Sequence, residues 1–156
     1  MRRIKTFFRL PSDQRRLLIS AALLVLRIRI FLWTLPFKTV RSLLSRQLRE
    51  LDEPNEADLR SIKKIVRAVR RVSRYVPGAT CLTQSLAAHS LLNRAGQPSV
   101  IRIGVAKSAK GGLLAHAWIE IDGRVVIGWT EDLHRYTPLT HQEENSLERN
   151  SWDLLY

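Results

Sequence analysis

The feature that most restricts the fold of this chain is the dipeptide Asp122-Gly123, set between two runs rich in β-favouring residues, 113–121 and 124–129. Asp-Gly supplies two consecutive residues that tolerate positive φ. A type I′ turn needs just that, and its twist matches that of two paired antiparallel strands. Upstream, residues 98–105 alternate with Val100, Ile101, Ile103 and Val105 at β-favouring positions, and a polar, Gly-ended loop over residues 107–112 leads back to the hairpin. The second half of the chain is therefore expected to end in an antiparallel β meander.

The first half follows a different period. Pro11-Ser12-Asp13 reads as a helix start, with Ser12 or Asp13 able to cap the free amides, and Pro36 stops or kinks the helix near Leu35. Residues 39–48 look like its amphipathic continuation, and residues 51–55 are the clearest linker. A second helix is expected over residues 57–75, where Leu59, Ile62, Ile65, Val66, Val69 and Val72 form one apolar stripe among arginines and lysines. Val76-Pro77-Gly78 breaks it. Thr80 then suits the N-cap of a helix from Cys81 to about Arg94, closed by Gly96 at C′. The expected class is α+β: a basic, Leu/Arg-rich helical arm over 1–52, then a domain over 57–156 in which a Cys-bearing helix packs on an antiparallel sheet.

Composition narrows the classes of function. At 45% hydrophobic and 26% charged the chain can pack a core. One cysteine excludes an internal disulfide and a Cys-rich zinc site. The net charge of +12 is lopsided: residues 1–76 hold 19 Lys/Arg against 6 Asp/Glu, and residues 77–156 hold 7 against 8. Such a surplus favours an anionic partner. The aromatic, Gly-rich and zinc-bearing signatures of nucleic-acid modules are missing, so no nucleic-acid partner is expected. Residues 17–37 are largely apolar, but Arg27 and Arg29 interrupt them. An arginine near the centre of a spanning helix costs about 2.5–3.5 kcal/mol, and no small-residue cleavage site follows. The segment is expected to dock on the domain, with a partner helix or a peripheral membrane contact as the alternatives. The expected compartment is the cytoplasm, where a lone thiol stays reduced.

Cys81 falls at the first turn of its helix, where unpaired amides and the positive dipole end favour a thiolate. His116, in Ala115-His116-Ala117-Trp118, sits in a strand that fixes its direction. A histidine on a rigid strand facing a cysteine at a helix start is the arrangement of a nucleophile and its base. The bland alternative is a small buried thiol and a satisfied core histidine. The group that would orient the imidazole stays open: Asp122 on the turn, Glu120 four residues beyond His116, or Asp132 after the third strand. Gln84 could support the thiol with its amide, and the Cys81 N–H is a natural oxyanion donor. His89, His134 and His141 show no metal-ligand spacing, no glycine pattern suggests a phosphate loop, and no metal or cofactor is expected.

Together, Thr80-Cys81-Leu82-Thr83-Gln84-Ser85-Leu86-Ala87, Gly104-Val105, His116-Ala117-Trp118-Ile119-Glu120 and Asp122-Gly123-Arg124-Val125-Val126-Ile127-Gly128 resemble the transglutaminase-like cysteine peptidases of lasso-peptide biosynthesis, the lasso-peptide B proteins in their stand-alone peptidase form. The resemblance covers roughly residues 59–139, and the Arg/Leu-rich arm resembles the family's helical N-terminus. It implies a papain/transglutaminase-like fold with a Cys–His–Asp triad that removes the leader from a ribosomally made precursor, with Cys81 as nucleophile and His116 as general base then acid. It also implies two partner proteins, a separate leader-binding protein and an ATP-using macrolactam cyclase. Nothing in residues 1–58 reads as a winged, β-rich leader-binding module. One departure stands out: some members carry the triad Asp twelve residues beyond the His, and here that position is Gly128. Asp122 is therefore taken as the third member, with Glu120 or Asp132 as substitutes. Two other readings remain, a transglutaminase-type acyl transferase using the same dyad and a basic adaptor with an inert Cys81.

Overall fold

The computed structural model describes residues 10–34 and 58–139. Its elements in chain order are α1 (Ser12–Thr34), α2 (Leu59–Ser73), α3 (Cys81–Arg94), β1 (Val100–Lys107), β2 (Leu113–Ile121), β3 (Arg124–Ile127), a 3-10 turn (Leu133–Arg135) and β4 (Thr137–Pro138). The class is α+β, as expected. The anticipated helix over 39–48, the linker over 51–55 and the division between 52 and 57 lie outside the described residues.

The starts of α2 and α3 and the end of α3 have local causes. Asp58 caps α2 by accepting from the Arg60 amide at 2.9 Å. Thr80 caps α3 in extended conformation, its hydroxyl facing the Thr83 amide. At the other end of α3, the Gly96 amide donates to the Asn93 carbonyl and the Gln97 amide to the Leu92 carbonyl, each at 2.9 Å, with Gly96 at φ +70°. These are the two bonds of a Schellman motif, whose left-handed C′ residue is cheapest as glycine.

The core joins all three helices to one face of the sheet. Ala21, Val25 and Ile28 of α1, Ile62 and Val69 of α2, and Leu86, Ala87 and Leu92 of α3 form one cluster with Ile119, Ile121 and Ile127. α3 is its centre, and ten of its fourteen residues are buried. α1 therefore docks on the domain, as the apolar run predicts.

The sheet order is β3-β2-β1-β4, with every pairing antiparallel. Asp122 and Gly123 adopt φ +51° and +72°, the positive-φ pair expected of their turn. β1 runs from Val100 to Lys107, two residues later than the alternation suggests, because Lys107 pairs with Leu113 across the loop. β4 was not anticipated: Pro138 and Thr137 pair with Gly104 and Val105 on the outer edge of β1.

Candidate active site

Two elements carry the expected dyad. Cys81 is the first residue of α3, half-buried and free. His116 lies on β2, half-buried, opposite Gly104 of β1. Along β2 the side chains alternate, so His116, Trp118 and Glu120 share one face while Ile119 and Ile121 face the helices. The helix that carries Cys81 meets β2 at the edge of that strand. β3 pairs with β2 only over Ile119–Ile121, so among the described residues no strand flanks the stretch of β2 holding His116 on that side. Here α3 attaches: the Ser85 hydroxyl, one turn along from Cys81, donates to the Ala117 carbonyl at 3.1 Å. That bond fixes the Cys81 turn beside the residue that follows His116. No hydrogen bond joins the Cys81 Sγ to the imidazole; contacts of this kind commonly close only with substrate bound.

The imidazole is held on three sides. Its Nε2 lies 2.6 Å from the Gly128 carbonyl oxygen. A carbonyl can only accept, so Nε2 carries the proton and, in the neutral ring, Nδ1 keeps its lone pair. Trp118 lies nearly parallel to the ring, 6.2 Å between centroids and 18° apart, and Tyr136 leans against it at 5.3 Å and 45°. Gly104 makes room for this arrangement, since a Cβ there would stand 3.0 Å from both the Trp118 ring and the Tyr136 Cβ.

None of the expected carboxylates orients His116. Asp122 occupies the hairpin turn, exposed and six residues beyond His116, roughly 20 Å along an extended strand. Glu120 shares the face of His116, as the alternation predicts, but accepts from Trp118 Nε1 at 2.7 Å and from Arg102 Nε at 3.1 Å. It braces the tryptophan that flanks the imidazole. Asp132 precedes the 3-10 turn and pairs loosely with Arg135, at 3.6 Å and largely exposed. Gln84 is half-buried on the first turn of α3, with no side-chain hydrogen bond among the described residues. The acceptor that His116 Nε2 meets is instead the backbone carbonyl of Gly128.

Gly128, Ser85, Gly104 and Tyr136 are residues around His116 to which residue-type reasoning assigns no part. Ser85, Gly104 and Gly128 stand in the segments that carry the resemblance, Gly128 as the position twelve beyond His116, and Tyr136 has no such trace. His89 is buried on α3, apart from this site: its Nδ1 lies 2.6 Å from Ser99 Oγ, its Nε2 3.3 Å from Asn93 Nδ2, and burial lowers its pKa from 6.5 to about 4. His134 sits exposed on the 3-10 turn, and His141 lies outside the described residues. No cluster of three potential metal ligands occurs among the described residues.

The chain matches a protein-family model described as transglutaminase-like superfamily over residues 22–141. The match begins inside α1 and runs past β4, so it takes in both Cys81 and His116. No curated protein and no solved structure matches the chain.

Proposed function

The chain belongs to the transglutaminase-like superfamily, and on that premise we propose that it is a cysteine peptidase that cuts the leader from a ribosomally synthesised precursor of the lasso-peptide kind. The observation that supports this most is the His116 Nε2–H bond to the Gly128 carbonyl. It leaves Nδ1 as the nitrogen able to take a proton from a thiol at the strand edge, where the Ser85–Ala117 bond holds the first turn of α3.

In this reading Nδ1 accepts the Cys81 proton and the thiolate attacks the scissile carbonyl. The Cys81 amide, unpaired at the helix start, donates to the oxyanion. The imidazolium then returns its proton to the leaving amine as the C–N bond breaks, and an acyl-enzyme remains. Water, deprotonated by the same Nδ1, hydrolyses the thioester and restores the thiol. The Gly128 carbonyl stabilises the imidazolium at each charged stage, the task a carboxylate performs in other triads. A neutral carbonyl does this less strongly than an anion but demands no compensating charge. No cofactor enters this chemistry. The partners are the precursor, a leader-binding protein and a macrolactam cyclase, and the compartment is the cytoplasm.

The superfamily match accommodates acyl transfer as well as hydrolysis, and product mass separates them: hydrolysis adds water, transfer adds the amine. The deciding experiment is mass analysis of precursor incubated with the purified protein, with and without the leader-binding protein, alongside Cys81→Ala. The expected result is a leader fragment and a core with a free N-terminus, both missing in the variant. Cleavage by a folded Cys81→Ala protein would overturn the mechanism, and no cleavage with the partner present would overturn the function.

A further inference from the structure

α1 buries only one of its faces. Ala21 and Val25 are fully buried and Ile28 nearly so, whereas Ile19, Leu23, Leu26, Ile30 and Trp33 on the opposite side are 47–81% exposed. These five recur at intervals of four, three, four and three residues, which is one continuous stripe along a helix. Isolated surface leucines need no explanation, but an aligned row this long, ending in an exposed tryptophan, is the mark of a surface that is covered in use.

We propose that this stripe lies in the surface plane of an anionic lipid bilayer, with α1 parallel to the membrane. Charge selects the occupant. α1 carries Arg15, Arg16, Arg27 and Arg29 against Asp13 alone, and the adjoining α2 carries six basic residues and no acidic one. Arg16 and Arg27 are exposed, and Arg27 lies over the Phe31 ring at 5.9 Å, at the flank of the stripe. Basic side chains beside an apolar helix face reach headgroups while the apolar residues enter the acyl boundary, and anionic lipids strengthen that contact. Two copies meeting through the same stripe would bring these like charges together, which disfavours self-association.

By length and composition α1 also passes as a membrane-spanning helix. Crossing the bilayer would strip Ala21, Val25 and Ile28 out of the core they share with α2 and α3, so contact in the plane is the arrangement compatible with the fold. The inference does not rest on the peptidase reading. Its consequence is that the protein works at a membrane surface, whatever it acts on.

The test is co-sedimentation of the full chain with phosphatidylcholine vesicles, with and without phosphatidylglycerol, while Trp33 fluorescence is quenched by brominated acyl chains. Binding to the anionic vesicles, quenching that disappears in Trp33→Phe, and weakening by at least about tenfold in Leu23→Glu/Leu26→Glu are expected. Both leucines are about half exposed or more, so that variant keeps the core intact, and an unchanged circular-dichroism melt verifies it. Equal binding to neutral vesicles would overturn the choice of an anionic surface. No vesicle binding, or a dimer in sedimentation equilibrium that the double variant dissociates, would overturn the membrane assignment.

Discussion

The His116 imidazole donates from Nε2 to the carbonyl oxygen of Gly128, 2.6 Å away and twelve residues on in the chain. Where the resemblance leads one to expect an aspartate side chain, the backbone of a glycine supplies the acceptor. The glycine is required by its surroundings. Gly128 adopts φ +85°, and a Cβ there would stand 2.7 Å from the Ala117 carbonyl oxygen and 2.8 Å from the Trp118 Cβ. An aspartate cannot occupy this backbone without moving it.

Gly128→Ala should therefore lose at least about 2 kcal/mol of stability, from the strained φ and the overlap together, and at least about tenfold in cleavage rate as the carbonyl leaves His116. Gly128→Asp should be no better than alanine. Urea unfolding and single-turnover cleavage check both; an aspartate variant faster than wild type would show that a carboxylate fits here after all.

Glu120 accepts from Trp118 Nε1 and Arg102 Nε, so it acts on the imidazole only through the tryptophan. Replacing the orienting carboxylate of a triad costs about four orders of magnitude in kcat. Glu120→Gln, which keeps an oxygen for the indole N–H, should instead cost less than about tenfold. A loss near four orders, with an unchanged unfolding curve, would make Glu120 the orienting acid.

What the sequence reveals here follows the range of the interaction. The bounds of α3 and the Asp122-Gly123 turn are legible because caps and turn residues act on their immediate neighbours. The positions of Cys81 at the start of α3 and His116 on β2 are legible because the Thr80 cap and the strand alternation are local signals. β4 is not, since Thr137 and Pro138 form a strand only by lying against Val105 and Gly104, more than thirty residues away. The orienter is not legible for a different reason: every residue has a carbonyl, and only the fold decides which one meets Nε2. Asp122 is chemically suited to the role, but the turn it forms carries it to the far end of β2.

His89 couples the fold to pH. Asn93 Nδ2 donates to its Nε2, its Nδ1–H donates to Ser99 Oγ, and Ser99 Oγ lies 3.5 Å from Asn93 Oδ1, a closed ring that suits only neutral imidazole. Burial lowers the pKa from 6.5 to about 4. The unfolded chain thus binds the proton first as pH falls. The contribution of His89 is whole above pH 6.5, declines below it, and is gone by about pH 4, for a total of roughly 3 kcal/mol. Urea midpoints measured from pH 7.5 to 4 should fall for wild type and fall less steeply for His89→Gln; parallel curves would contradict the assignment.

Ser85 tests whether the thiol and the imidazole work as one unit. Its side chain is fully buried, and its hydroxyl donates to the Ala117 carbonyl at 3.1 Å, at the open edge of β2. Ser85→Ala removes one neutral hydrogen bond and leaves the carbonyl unpaired, which should cost about 1–2 kcal/mol of stability. The change in shape is small, so the fold should persist. Freed from its tether, the first turn of α3 can shift against β2, and a misplacement of about 1 Å between reacting groups can cost about a hundredfold in rate. Single-turnover cleavage should therefore fall by tenfold or more, about as much as that displacement allows, while precursor affinity stays nearly constant. A variant that loses the stability but keeps its rate would show that this bond serves the fold alone, and that something else aligns Cys81 with His116.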